Sequence, residues 1–229
     1  MNIIVLLLSV LPIILIGIYY YQKDTEKEPK VLLQKLFLSG ILSGLLVIFI
    51  SFIIIIIFPE YLELEKASFF KLFLYSFVFV SLIEEVSKWL MIYKIAYNHK
   101  ENNQYFDIIL YSVFVGLGFA CFENFLYLLN HNNKILVAIF RGITAIPAHA
   151  CFQTFMGYYL AKSKNNKFYF YLSLIIPIIL HGIYDFLLLS GNIILVCMFL
   201  IFIITMFIIT ILKIKELIKL DELGLNEKK

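Results

Sequence analysis

The chain has 229 residues, of which 62% are hydrophobic and only 15% charged, and its mean hydropathy is +0.93. That balance excludes a soluble domain and specifies a multi-span membrane protein, with the lipid bilayer as its first partner. The formal net charge of +3 points to no nucleic-acid partner, because the lysines sit in loops and a tail. The three cysteines, Cys121, Cys151 and Cys197, lie in apolar runs without a CxxC pair, which indicates neither a disulfide framework nor a thiolate metal site.

Hydropathy predicts an all-α polytopic bundle of seven spans, one membrane domain over residues 1–229. The first span, Asn2–Tyr21, lacks a basic leader and a small-residue cleavage site, so it reads as a retained helix and not a signal peptide. Spans follow at Leu36–Phe58, Leu72–Tyr93, Phe106–Asn130, Ile135–Leu160, Phe168–Leu189 and Asn192–Leu212. Breakers punctuate the connections: Pro29 after the first span, Pro59 after the second, Gly191 before the seventh. The acidic stretch Glu60–Lys66 has the length of a short interfacial helix. Fourteen basic residues fall in the tail and the loops after spans one, three and five, against three in the loops on the other side. This asymmetry predicts an external N-terminus and a cytoplasmic C-terminus, in the cell membrane.

The third span carries the run Ser81-Leu82-Ile83-Glu84-Glu85-Val86-Ser87-Lys88. Three ionisable groups there cost roughly 2.5 to 3.5 kcal/mol each on insertion, which the apolar neighbours just offset at roughly −0.3 to −0.6 each. At about 100° per residue, Lys88 falls roughly 40° from Glu84 and 60° from Glu85, so the charges can pair along one stripe that also holds Ser81. Such a stripe faces protein or a water-filled cavity and is a candidate site by default. A structural Glu–Lys pair is the plainer reading.

The fourth span places Ser112, Gly116, Phe119, Ala120, Glu123 and Tyr127 within about a 100° arc. The small residues allow close approach of another helix, which delivers Glu123 into an interface. The fifth carries Arg141, Pro147, His149 and Gln153; Pro147 predicts a kink just before His149, freeing the Ile143 carbonyl. In the sixth, His181 and Asp185 are neighbours one turn apart, so the carboxylate can orient the imidazole or share a ligand with it. Each of these residues also has a bland reading as an interhelical hydrogen bonder. Their depths agree, however: all can meet between mid-membrane and the outer leaflet. His99 and His131 fall in predicted loops and read as solvated.

The order Glu84-Glu85-x-x-Lys88, Gly118-Phe119-x-x-x-Glu123-Asn124, Arg141 with seven residues before His149, and His181-x-x-x-Asp185 resembles the PrsW family. That family lies within the wider superfamily of CAAX-processing and bacteriocin-processing intramembrane proteases. The second motif of that superfamily usually ends in histidine, where this chain has Glu123. The resemblance implies an intramembrane protease that makes the first, external cut in a single-span, membrane-anchored anti-sigma factor.

The constellation suits peptide hydrolysis. Glu84 or Glu85 would be the general base, with Lys88 holding the other carboxylate ionised. His149 and His181 would bind the water and stabilise the oxyanion, or ligate a metal that does so. Glu123 with His149 and His181 makes a ligand set that suits Zn²⁺, with Asp185 behind it; a metal-free glutamate–histidine site fits the residues as well. Competing readings are an ion- or proton-coupled transporter using the same groups as a relay, and an inactive scaffold of the same superfamily. The lack of an internal repeat counts against the transporter.

Overall fold

The computed structural model describes residues 2–59 and 68–224 and is helical throughout. The candidate interfacial segment Glu60–Lys66 lies outside the described residues. In chain order the elements are α1 (Ile3–Lys23), α2 (Lys30–Ile57), α3 (Phe69–Leu74), a π-helical stretch π1 (Tyr75–Leu82), α4 (Ile83–Ile92), and a second, π2 (Tyr93–Tyr97). Then come α5 (Asp107–Asn130), α6 (Lys134–Ile143), α7 (Ala145–Ser163), α8 (Phe168–Leu189) and α9 (Ile193–Glu222).

Six helices are long and apolar enough to cross a membrane, with α6 and α7 counted together. The remaining expected span, the third, corresponds to α3 through π2, one continuous rod in which α and π turns alternate. The protein is a multi-pass integral membrane protein built as a helical bundle. Large apolar side chains cover its outside, Leu7, Phe49, Phe52, Ile201 and Ile204 among them, as a lipid solvent requires.

Two helices form the centre. α5 and α7 pack on each other, with α1, α2 and α4 against α5, and α8 and α9 against α7. π1 and α4 close the ring by packing on α8. Glycine sets the tightest approach: a Cβ at Gly40 of α2 would run into the Val115 carbonyl, and one at Gly118 of α5 into the Phe37 carbonyl.

Two local expectations shift. Pro29 caps α2 and so starts the helix at Lys30, earlier than hydropathy alone predicts. The fifth span is divided at Thr144, where the chain turns between α6 and α7. Pro147 therefore stands in the first turn of α7, where its missing N–H breaks no helical bond, instead of kinking a helix interior. His149 comes on the next residues of the same helix.

Candidate active site

The charged stripe of α4 is fully internal. Lys88 is completely buried, with Nζ 2.6 Å from Glu85 Oε1, 3.3 Å from Glu84 Oε2 and 3.5 Å from His149 Nδ1. Its ammonium also lies 4.0 Å over the Phe119 ring of α5. π1 delivers this stripe to α8. The Ser81 hydroxyl reaches the Ile178 carbonyl at 3.0 Å, and Gly182 leaves the space in which the Phe77 ring lies. The Ser81 side chain thus fixes the helix pair and does not join the charges.

The two glutamates differ in surroundings. Glu85 is fully buried and saturated: Oε1 accepts from Lys88 and lies 2.8 Å from His181 Nδ1, while Oε2 accepts from Gln153 Nε2 at 2.7 Å. Gln153 fits because a Cβ at Gly116 would occupy the place of its side chain. Glu84 keeps one oxygen, Oε2, on the Lys88 side, and its Oε1 makes no hydrogen bond among the described residues. It lines a cavity of about 650 Å³ together with Glu123, His149, His181, Tyr184 and Asp185. Glu85 and Lys88 do not reach that cavity.

Across the cavity, Glu123 Oε2 takes Arg141 Nη2 at 2.6 Å and His149 Nε2 at 2.9 Å. Arg141 also donates to Asn124 Oδ1 at 3.0 Å and lies 3.9 Å over the Tyr127 ring. Since Lys88 can only donate, His149 Nδ1 acts as the acceptor, and its proton sits on Nε2, aimed at Glu123. His181 donates from Nδ1 to Glu85, which turns Nε2 toward Asp185 Oδ2 at 3.3 Å and Glu84 Oε2 at 3.9 Å. The Phe152 ring stacks on His181 at 4.8 Å and holds that orientation.

The four motifs, expected to meet at one depth, meet around one cavity. The chain matches the family model described as PrsW family intramembrane metalloprotease over residues 28–212. It is 36% identical over 177 residues to Protease PrsW of Geobacillus kaustophilus, covering 75% of this chain and 74% of the relative. Protease PrsW of Oceanobacillus iheyensis is 34% identical over 174 residues, 74% of this chain and 76% of that one. Protease PrsW of Bacillus subtilis is 33% identical over 176 residues, again 74% and 76%. The chain belongs to the PrsW family. It is therefore one of the membrane-embedded proteases. No solved structure matches it.

The PrsW family's description implies a metal, and the donor chemistry here fits one. Ligand atoms of Glu84, Glu85 and His181 lie within 4.8 Å of one another, the one such group among the described residues. Asp185 Oδ2 is buried beside His181 Nε2 without a hydrogen bond of its own. An imidazole oriented by a carboxylate behind it, with further carboxylate oxygens in front, is a zinc-type donor set. Of the set Glu123, His149 and His181, Glu123 Oε2 and His149 Nε2 lie 2.9 Å apart, and the three do not form such a close group among the described residues.

Gln153, Asn124 and Arg141 hold the PrsW site together; sequence reasoning named them in its motifs and spans but assigned them no role in the chemistry. Gln153 carried a signal, one turn after His149 on the same face of an apolar helix. Arg141 carried another, the charge it brings into a span. His131, expected to be merely solvated, is exposed but lines the cavity, stacked on Tyr127 at 5.5 Å. His99 stays in its loop, accepting the Glu101 N–H at 3.3 Å.

Proposed function

We propose that the protein hydrolyses a peptide bond of a single-span, membrane-anchored anti-sigma factor, as the first cut of a stress-response cascade. The observation that carries the chemistry is the division between the two neighbouring glutamates. Glu84 faces the cavity with one oxygen uncommitted, whereas Glu85 is spent on Lys88, His181 and Gln153.

In this reading Glu84 is the general base. Its Oε1 takes a proton from a water in the cavity while the water oxygen attacks the scissile carbonyl, and the same oxygen then protonates the leaving amine. Lys88 keeps the Glu84–Glu85 pair from repelling, and Glu85 holds His181 with Nε2 forward. Arg141 and His149 fix Glu123 on the opposite wall. The apolar shell, with Phe119 and Phe152 against the polar groups, keeps bulk water out. A divalent ion held by His181 Nε2, Glu84 Oε2 and Asp185 would add Lewis-acid polarisation of the carbonyl. The basic-loop asymmetry and the positions of the site residues along their spans support an external cut.

Co-expression with single-span membrane proteins, anti-sigma factors first, tests this. Wild type is expected to leave a truncated product, and Glu84→Gln none. Truncation by both, or by neither, would reject the reading. Metal analysis of the purified wild type is expected to find zinc, lost in His181→Ala; protein that cleaves fully without a stoichiometric metal would leave the side chains as the whole apparatus.

A further inference from the structure

Tyr184 stands one turn after His181 on α8 and lines the same cavity. It is 5% exposed, and its buried hydroxyl has no hydrogen-bond partner among the described residues. The Thr144 hydroxyl lies beside it outside hydrogen-bond geometry and donates to the Phe140 carbonyl at 2.8 Å. A buried, unpaired hydroxyl is a cost that phenylalanine would not carry. The ring itself is held firmly, edge-on to Phe152 at 6.0 Å and to Phe199 at 5.0 Å. Phe152 is also the ring that stacks on His181, so the phenol and the imidazole are fixed by one neighbour. The charged groups around the phenol are Asp185, Arg141 and Glu123, all walls of the cavity. Arg141 is held on the wall of the cavity by Glu123, Asn124 and the Tyr127 ring.

We propose that Tyr184 is a further catalytic residue, whose hydroxyl donates a hydrogen bond to the scissile carbonyl oxygen as that oxygen gains negative charge. The proposal rests on the proteolytic reading above. No proton is transferred from Tyr184: the O–H bond stays intact, and Glu84 alone carries the proton of the attacking water. Because the acceptor becomes charged only in the transition state, the donor acts on turnover more than on substrate binding.

The test compares purified wild type, Tyr184→Phe and Glu84→Gln in detergent, on the single-span protein that wild type truncates on co-expression. Tyr184→Phe is expected to lower kcat about 10²-fold with KM within about threefold of wild type. Its thermal midpoint should not fall, since the ring packing is kept. Turnover of Tyr184→Phe within about threefold of wild type, with Glu84→Gln inactive, overturns the role of Tyr184 and leaves the protease reading standing. A lowered thermal midpoint assigns the hydroxyl to the fold and also overturns it. Absence of wild-type cleavage, or cleavage that survives Glu84→Gln, overturns the protease reading and takes the Tyr184 role with it.

Discussion

Glu84 and Glu85 share a peptide bond, a helix and a residue type, yet their environments give them different work. Glu85 has both oxygens engaged and is completely buried, so it acts on the site through Lys88, His181 and Gln153. Replacing it with glutamine leaves the buried Lys88 Nζ with the 3.3 Å contact to Glu84 as its one remaining carboxylate partner and turns one anchor of His181 loose. Breaking a buried pair from one side costs about 3–5 kcal/mol. Glu85→Gln is therefore expected to lose cleavage and thermal stability together. Glu84→Gln keeps the shorter Lys88–Glu85 pair at 2.6 Å and should lose cleavage while its midpoint in detergent stays close to wild type. Equal midpoints for the two variants would show that the pair has no such division of labour.

At the scale of elements, two devices bring the site residues to one place. The first is the close seam between α2 and α5, in which Gly40 and Gly118 each lie against the partner helix's backbone. Gly40→Ala forces the two backbones apart, and overpacking of this kind costs about 1–3 kcal/mol. Gly17→Ala is the control: its added Cβ would sit 3.6 Å from the Leu117 side chain, an ordinary contact. Thermal unfolding in detergent should show a lower midpoint for Gly40→Ala and an unchanged or higher one for Gly17→Ala. The second device is π1, eight residues of wider turn leading into the charged stripe of α4. The π geometry sits where Phe77 lies on Gly182 and Ser81 reaches Ile178, so α8 and the stripe are tied one turn before His181.

For the molecule as a whole, orientation decides which side the substrate is cut from. The basic residues gather in the tail and in the loops after the first, third and fifth spans. A reporter fused after Lys229 is expected to be cytoplasmic, and one placed in the loop between Asn130 and Lys134 external. The reverse pattern would remove the external cut. The same bundle explains why the site survives in lipid: the charged groups of α4, α5, α6 and α8 that it uses face another helix or the cavity.

Much of this could be read from the chain alone. Hydropathy runs separated the spans because lipid accepts only long apolar helices with their backbone bonds satisfied internally. The cost of charge in such helices singled out Glu84, Glu85, Lys88, Glu123, His149, His181 and Asp185, and helical spacing put Lys88 beside both glutamates. Spacing within one helix carries no information about which partner each group finds on another. Only the tertiary structure decided that Glu123 is held by Arg141 and His149, that Gln153 and His181 consume Glu85, and that Glu84 alone of the pair opens to the cavity. The break at Thr144 and the π turns before Glu84 were hidden for a related reason. A hydropathy pattern averages over many residues and predicts that a helix exists, whereas a single turn's geometry is set by the packing of Phe77, Gly182 and their neighbours on a second helix.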